Sequence, residues 1–251
     1  MSGILTISVI TVSYNSGGTI ADTIESVAAQ THPRVEHIVV DGASTDGTLE
    51  VLKRYHGSLS KVVSEPDRGI YAAMNKGLVM ATGDVVGTLN SDDVYADEAV
   101  LGLVANAFRD ETVDVCYGDV FYVESRDLNR IVRQWKSEPY RAGLFERGWM
   151  PPHPAFFIRR RVLGRVGQFE AGYRFAADFD FMLRALHVQQ LRSIYLPREL
   201  VKMRVGGETN STVMNVLKGN VEAYKSCRKH GLGVSPLFIA RKILRKLPQY
   251  R

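Results

Sequence analysis

Through the first half of the chain, short β-branched apolar runs alternate with stretches of helical periodicity, and several runs stop abruptly on acids or amides. Residues 6–12 read as a buried strand, and Ile20, Ile24, Val27 and Ala28 follow at the spacing of one helix face. Residues 37–40 predict a second strand, closed by the turn-forming Asp41-Gly42-Ala43-Ser44-Thr45-Asp46-Gly47. Residues 61–64 predict a third strand, 70–81 a helix, and 85–89 a fourth strand ending at Asn90-Ser91-Asp92-Asp93. Strands that alternate with helices indicate the α/β class, with a doubly wound, mostly parallel sheet. Ligands of such sheets sit outside the carboxyl ends of the strands. Tyr14-Asn15, Asp41 and Asn90 to Asp93 all fall at such ends and form the first candidate site.

The second half is less regular. Residues 115–117, 121–123, 131–135, 155–158 and 194–196 predict short strands, and a helix begins over 180–186. Past Gly206-Gly207 the pattern becomes helical over 213–230. A last helix follows Ser235-Pro236, with Ser as N-cap and Pro as first helical residue.

With 251 residues, the chain has room for one large domain and a small appendage. Cys116 and Cys227 are its only cysteines, too far apart for a zinc spacing or a disulfide framework, so a reducing, cytoplasmic compartment is expected. No run approaches the roughly 20 apolar residues that cross a bilayer, and Met1-Ser2-Gly3-Ile4 does not open a signal peptide. The net charge of +5 is concentrated at one end: residues 225–251 hold eight of the 32 Lys and Arg and no Asp or Glu. Ala240, Ile243, Leu244 and Leu247 form one stripe there, with Arg241, Lys242, Arg245 and Lys246 on other faces. Such a helix either binds an anionic membrane peripherally or docks on the domain with its charges solvated. No nucleic-acid motif or aromatic platform accompanies the charge, so nucleic acid is not expected as a partner.

Two adjacent acids at a strand end repel each other unless a cation or hydrogen bonds intervene. Asp92-Asp93 could therefore hold Mg²⁺ or Mn²⁺ with nucleotide phosphates, or could cap a helix near 97–108. Asp41 has a similar plain alternative in Asx-turn geometry. Gly42 and Gly47 superficially suggest a phosphate loop, but Gly47-Thr48 lacks its lysine. The absence of Gly-x-Gly-x-x-Gly after the first strand argues against a dinucleotide oxidoreductase.

Four stretches in order resemble the inverting glycosyltransferases of family 2, which have the GT-A fold. They are Ser8-Val9-Ile10-Thr11-Val12-Ser13-Tyr14-Asn15; Val39-Val40-Asp41-Gly42-Ala43-Ser44-Thr45-Asp46-Gly47-Thr48; Ser64-Glu65-Pro66-Asp67-Arg68-Gly69-Ile70-Tyr71-Ala72-Ala73-Met74-Asn75-Lys76-Gly77; and Leu89-Asn90-Ser91-Asp92-Asp93. The third looks like the branch that builds bacterial exopolysaccharide, capsule or lipopolysaccharide. The resemblance implies that Tyr14 lies against the nucleotide base and that Asp41 accepts a hydrogen bond from it, typically from uracil. It implies Asp67 and Arg68 near the nucleotide and its phosphates, Asp92 near the ribose or metal, and Asp93 on a metal, Mg²⁺ or Mn²⁺, through the diphosphate. The family's Asp-x-Asp stands here as Asn90-Ser91-Asp92, without its first acid.

Phe175-Ala176-Ala177-Asp178-Phe179-Asp180-Phe181 resembles the family's acidic segment, although Ala177 replaces the glutamate common in relatives. That makes Asp178 the implied catalytic base and Asp180 a helix cap. His153 could touch the diphosphate, metal or acceptor, or be structural. Arg204 could face a phosphate from a mobile loop or be an exposed charge. The expected organisation is a catalytic domain over 1–210 and a basic helical extension over 211–251. Within the domain, nucleotide-sugar binding falls over about 1–95 and the acceptor and catalytic half over about 96–210. The implied reaction moves a sugar from a nucleotide-diphosphate donor, UDP by expectation, to a saccharide or lipid-linked saccharide. A sugar-nucleotide nucleotidyltransferase would need an activating lysine and glycine-rich loop that residues 8–18 lack. A non-catalytic sugar- or lipid-binding module is the other alternative.

Overall fold

The computed structural model describes residues 3–206, 212–235 and 237–245. Its first half runs β1 (Ile7–Ser13), α1 (Ile20–Ala28), β2 (Val35–Asp41), α2 (Thr48–Arg54), β3 (Lys61–Ser64), α3 (Ile70–Met80) and β4 (Val85–Thr88). There follow β5 (Val94–Tyr95), α4 (Val100–Ala107), β6 (Val115–Glu124), β7 (Asp127–Trp135), β8 (Phe156–Arg159), α5 (Leu163–Val166), α6 (Ala177–Leu183), β9 (Ser193–Arg204), α7 (Val213–Lys229) and α8 (Phe238–Leu244).

Every residue of β1 is buried, as a central strand covered on both faces requires. The sheet order is β3-β2-β1-β4-β8-β6-β9-β5, with β7 paired to β6. β1 runs parallel to β2 and β4, β2 to β3, and β6 to β9. Antiparallel pairing enters at β8, β7 and β5. Because β2 and β3 lie on one side of β1 and β4 on the other, the chain reverses direction at β1, which opens a crevice at the carboxyl ends of β1 and β4. Helix α3 lies directly over β1: a Cβ at Gly77 would come 2.3 Å from Ile10 Cγ2.

The second half departs from expectation in instructive ways. The two short strands over 115–123 are one strand, β6, because Asp119 is satisfied inside it by the Ser137 amide at 2.7 Å and the Tyr195 hydroxyl at 2.9 Å. The short strand at 194–196 extends through Pro197 to Arg204, with register irregularities around Asp119 absorbing the break. Asp180 caps nothing. It sits within α6, fully buried, accepting from Arg184 Nε (2.7 Å) and Ser226 Oγ (2.8 Å), with His230 Nε2 at 3.0 Å. α8 begins at Phe238, with the Leu237 amide donating to Ser235 Oγ at 3.1 Å. Pro236, Gly207, Lys246 and Leu247 lie outside the described residues.

The C-terminal helices share the main core. Ala223 and Cys227 of α7 and Phe238 of α8 are fully buried, in one cluster with Ile10, Met74 and Phe179. The last helix is thus docked, yet Leu237, Ile243 and Leu244 remain exposed beside Arg241. Among the described residues no helix is long and apolar enough to cross a membrane.

Candidate active site

A cleft of about 770 Å³ opens at the carboxyl ends of β1, β2 and β4. Parallel register sets Ser13, Asp41 and Ser64 side by side at its back. Asp41 is fully buried and accepts from Ser13 Oγ (2.9 Å), Ser44 Oγ (2.5 Å), the Ser44 amide (2.9 Å) and Ser64 Oγ (2.7 Å). Burial opposes its charge, but those donors outweigh burial and hold its pKa below the ordinary value. With its carboxylate saturated from within, Asp41 braces the cleft from behind and does not line it.

The loops after β1 and β2 are stitched together. Asn15, at a left-handed φ of 50°, donates its amide to Ser44 Oγ and accepts the Thr45 amide on its side chain. This presents Tyr14 at the mouth, 66% exposed. Gly42 lets Asp67 approach: a Cβ there would stand 3.0 Å from Asp67 Oδ2 and 3.3 Å from the Tyr14 ring. Asp67 and Tyr14 line the cleft, whereas Arg68 is exposed and does not.

The adjacent acids part company. Asp92 lines the cleft; Asp93 is fully buried behind it, with Oδ1 accepting the Arg204 amide (3.2 Å) and Oδ2 the Asn90 amide group (3.3 Å). Burial, then the charge of Asp92, hold the Asp93 carboxyl well above the usual range. Burial also raises Asp92. Neither acid caps α4, whose entry is turned by Asp97 on the Ala99 amide. Arg204 is neither an exposed charge nor a phosphate-facing one. It is buried, with Nη1 on the Asp92 carbonyl (2.6 Å), Nε on the Ser125 carbonyl (3.1 Å) and Nη2 on Asp22. Asp93 and Arg204 therefore fix the loop that displays Asp92.

Across the cleft stands Asp178, in the first turn of α6. Its Oδ1 accepts the Phe179 amide (2.8 Å) and the Tyr71 hydroxyl (3.3 Å), and His153 Nδ1 lies 3.4 Å from Oδ2. Burial lowers the pKa of His153 against the pull of Asp178 and Asp92, which favours the neutral ring. With Nδ1 protonated toward Asp178, its Nε2 faces the amide group of Asn90 at 3.5 Å. Sequence reasoning missed Tyr71 as a partner of Asp178, although it sits inside a recognised stretch. It also missed Glu222 of α7, which accepts the amides of Arg174 (3.1 Å), Phe175 (2.8 Å) and Ala176 (3.0 Å) at the start of α6. Nothing in the local sequence around Glu222 signals that contact.

Among the described residues no group of three or more His, Cys, Asp or Glu converges. Asp92 at the wall, His153 beside it, and the buried Asn90 Oδ1, which has no hydrogen-bond partner, form a partial donor set. That set fits a hard cation such as Mg²⁺ or Mn²⁺, which completes its shell with phosphate oxygens and water.

The chain is similar in fold to S. aureus TarS 1-349 in complex with UDP-GlcNAc, at a TM-score of 0.70 and 20% identity over 96% of this chain and 72% of that one. It is likewise similar to the mannosyltransferase PcManGT from Pyrobaculum calidifontis in complex with GDP-Man and Mn²⁺, at a TM-score of 0.69 and 22% identity over 96% and 70% of the two chains. In sequence it is 28% identical over 219 residues to the PGL/p-HBAD biosynthesis glycosyltransferase of Mycobacterium tuberculosis, covering 83% of this chain and 80% of the relative. Residues 8–181, which include Tyr14, Asp92 and Asp178, match the family described as Glycosyl transferase family 2, and the chain belongs to that family.

Proposed function

We propose that this glycosyltransferase inverts the anomeric centre of a UDP-sugar while transferring it to an acceptor hydroxyl, with Asp178 as the general base. The observation that carries the reading is Asp178 and Asp92 lining one cleft, with His153 close to both. UDP would lie at the crevice beside β1 and β4, its base against Tyr14 and its ribose and phosphates toward Asp67 and Asp92. As the acceptor oxygen bonds to the anomeric carbon, Asp178 takes its proton, and the bond to the diphosphate breaks with its electron pair leaving on UDP. His153 and Tyr71 hold the Asp178 carboxylate in position. When bound, Mg²⁺ or Mn²⁺ neutralises charge on the leaving diphosphate. We give its ligation to Asp92 in place of Asp93, because the Asp93 carboxylate is spent on Asn90 and Arg204.

The division of labour follows the chain: about 1–95 for the donor, about 96–210 for acceptor and catalysis, and 211–251 as a basic extension. The acceptor class is a saccharide, lipid-linked in surface polysaccharide synthesis, and exposed Leu237, Ile243 and Leu244 support peripheral contact with an anionic membrane. The test is calorimetry of UDP and GDP with and without Mn²⁺, followed by anomeric analysis of product from a UDP-sugar panel. UDP binding that tightens with Mn²⁺, and an inverted product, are expected. GDP binding in its place, or a retained anomer, would overturn the donor or the mechanism respectively.

A further inference from the structure

The helix that carries Asp178 has no cap of its own. Ala176 precedes α6 and Ala177 opens it, and neither side chain can accept a hydrogen bond from the first amides. The acceptor comes from α7 instead. Glu222 Oε1 accepts the Arg174 amide at 3.1 Å, and Oε2 accepts the Phe175 and Ala176 amides at 2.8 and 3.0 Å. Phe175 and Ala176 are buried. Without the carboxylate their amides would stay unpaired, at a cost, or the turn would have to move.

On the cleft side, Asp178 is held by longer contacts. The Tyr71 hydroxyl donates to Oδ1 at 3.3 Å, and His153 Nδ1 stands 3.4 Å from Oδ2. The Phe179 amide, at 2.8 Å from Oδ1, belongs to α6 and moves with it. Hydrogen bonds weaken with length, so the place of this carboxylate is set from the backbone side. Positions 222, 226, 229 and 230 share one face of α7. Ser226 and His230 meet Asp180, further along α6, at 2.8 and 3.0 Å, and Lys229 Nζ meets Glu170 in the preceding loop at 2.6 Å. Of the four, Glu222 holds the turn that leads to Asp178.

We propose that Glu222 is a positioning residue for the transfer reaction: by binding the three amides ahead of α6 it fixes where the Asp178 carboxylate stands in the cleft. The C-terminal extension then serves the reaction through α7. This inference rests on the reading of Asp178 as base. Glu222 itself does not line the cleft, so it acts through Asp178. Misplacing a reacting group by about 1 Å costs roughly 10² in rate. A first turn that slips therefore loses turnover, while the nucleotide side on β1, β2 and β4 stays as it was.

The test compares Glu222→Ala, Glu222→Gln and Ser226→Ala with Asp178→Asn in the full chain. Turnover is read as UDP release in Mn²⁺ from UDP-glucose, UDP-galactose, UDP-N-acetylglucosamine and UDP-glucuronate, with water as acceptor. Calorimetry gives UDP affinity, and crystal structures of parent and variants give the place of Asp178. Glu222→Ala should lower turnover by roughly 10–10²-fold at unchanged UDP affinity, with Asp178 displaced from Tyr71. Glu222→Gln keeps one acceptor oxygen and should recover part of the turnover. Ser226→Ala should lower the melting temperature and leave both turnover and Asp178 in place. Added to Asp178→Asn, Glu222→Ala should cost no further turnover, because the group it positions is gone. Full turnover in Glu222→Ala, where Asp178→Asn has lost it, would overturn the positioning role and keep the base. Full turnover in Asp178→Asn would overturn the base reading, and the positioning role with it. Equal losses of turnover in Glu222→Ala and Ser226→Ala would leave Glu222 a purely structural residue and overturn the proposal. If the parent releases UDP from none of these donors, the crystal structures decide: Asp178 still on Tyr71 in Glu222→Ala overturns the proposal. Should Glu222→Ala fail to fold, Glu222→Gln carries the same comparison.

Discussion

The two sides of this cleft, to which we assign donor and acceptor by proposal, are built by different means. On the donor side, consecutive parallel strands bring Ser13, Asp41 and Ser64 into line, and Asp41 is saturated by its neighbours. On the acceptor side, β6, β7, α6, α7 and α8 contribute residues distant in sequence. The first arrangement is a rigid cradle set by register alone. The second is assembled by tertiary packing. α7 also reaches the chemistry, because Glu222 binds the amides that lead into the helix of Asp178.

The sharpest way to break this contrast is Asp178→Asn. The variant should lose roughly 10²–10⁴ in turnover, because proton removal occurs in the transition state. Calorimetric UDP affinity should stay unchanged, since the donor side does not depend on that carboxylate. A loss of UDP affinity matching the loss of turnover would show that the two sides are not separable.

Next in size is Asp180→Ala, which strips the buried partner from Arg184 and His230 and loosens α6 from α7. Breaking such a pair costs about 3–5 kcal/mol, and denaturant unfolding should report it. The two sides should also differ in their response to acid. His37 in β2 is buried and its pKa is held down to about 4. The folded value lies below the unfolded one of about 6.5, so the unfolded chain takes up the proton first. Stability falls as pH drops from 6.5 toward 4, by roughly 3 kcal/mol. On the acceptor side, burial of Asp180 is outweighed by His230, Arg184 and Ser226, which bring its pKa to about 2. That contribution is complete above pH 4 and is lost only as pH falls toward 2. Unfolding midpoints measured between pH 7 and 3 should fall first in the window that His37 shares with His153, and His37→Gln should lessen the fall there while leaving the fall toward pH 2 that belongs to Asp180.

This contrast also explains what was legible in the sequence. Tyr14, Asp67 and Asp92 stood at strand ends or in recognised stretches, and the structure brings them to one cleft with Asp178 and His153. Which of two adjacent acids faces inward was not legible. That is set by the Asn90 side chain and by Arg204, more than a hundred residues away, whose amide binds Asp93. The partners of Glu222 were invisible for the same reason: no local period or spacing encodes a contact between a loop and a C-terminal helix. β9 was read short because Pro197 and two charged residues mimic a turn.

A smaller effect separates the two acids. Asp92→Asn should weaken UDP binding in Mn²⁺ by roughly tenfold or more while leaving UDP binding in chelator unchanged. Asp93→Asn should retain the Mn²⁺ enhancement and lower the melting temperature, since it disturbs the loop that Arg204 holds. Loss of the Mn²⁺ enhancement in Asp93→Asn alone would return the cation to Asp93.

The smallest effect concerns the outer face of α8. Its inner face is committed to the core through Phe238, while Leu237 and Leu244 are each 59% exposed. Leu237→Ser/Leu244→Ser should therefore leave stability within about 0.5 kcal/mol, as surface changes usually do. If the exposed residues meet a membrane, each buries only part of a leucine there, so sedimentation with anionic vesicles should fall by a modest factor, roughly threefold or more. Raising salt should weaken binding of the parent protein, because Arg241 and its neighbours act through screened charge. Turnover should be untouched in this variant, whereas Glu222→Ala should lower turnover and leave vesicle binding as it was. Vesicle binding and turnover that fall together across both variants would mean that the extension acts as one unit. Independent responses would keep the outer face of α8 for the membrane and the inner face of α7 for the base.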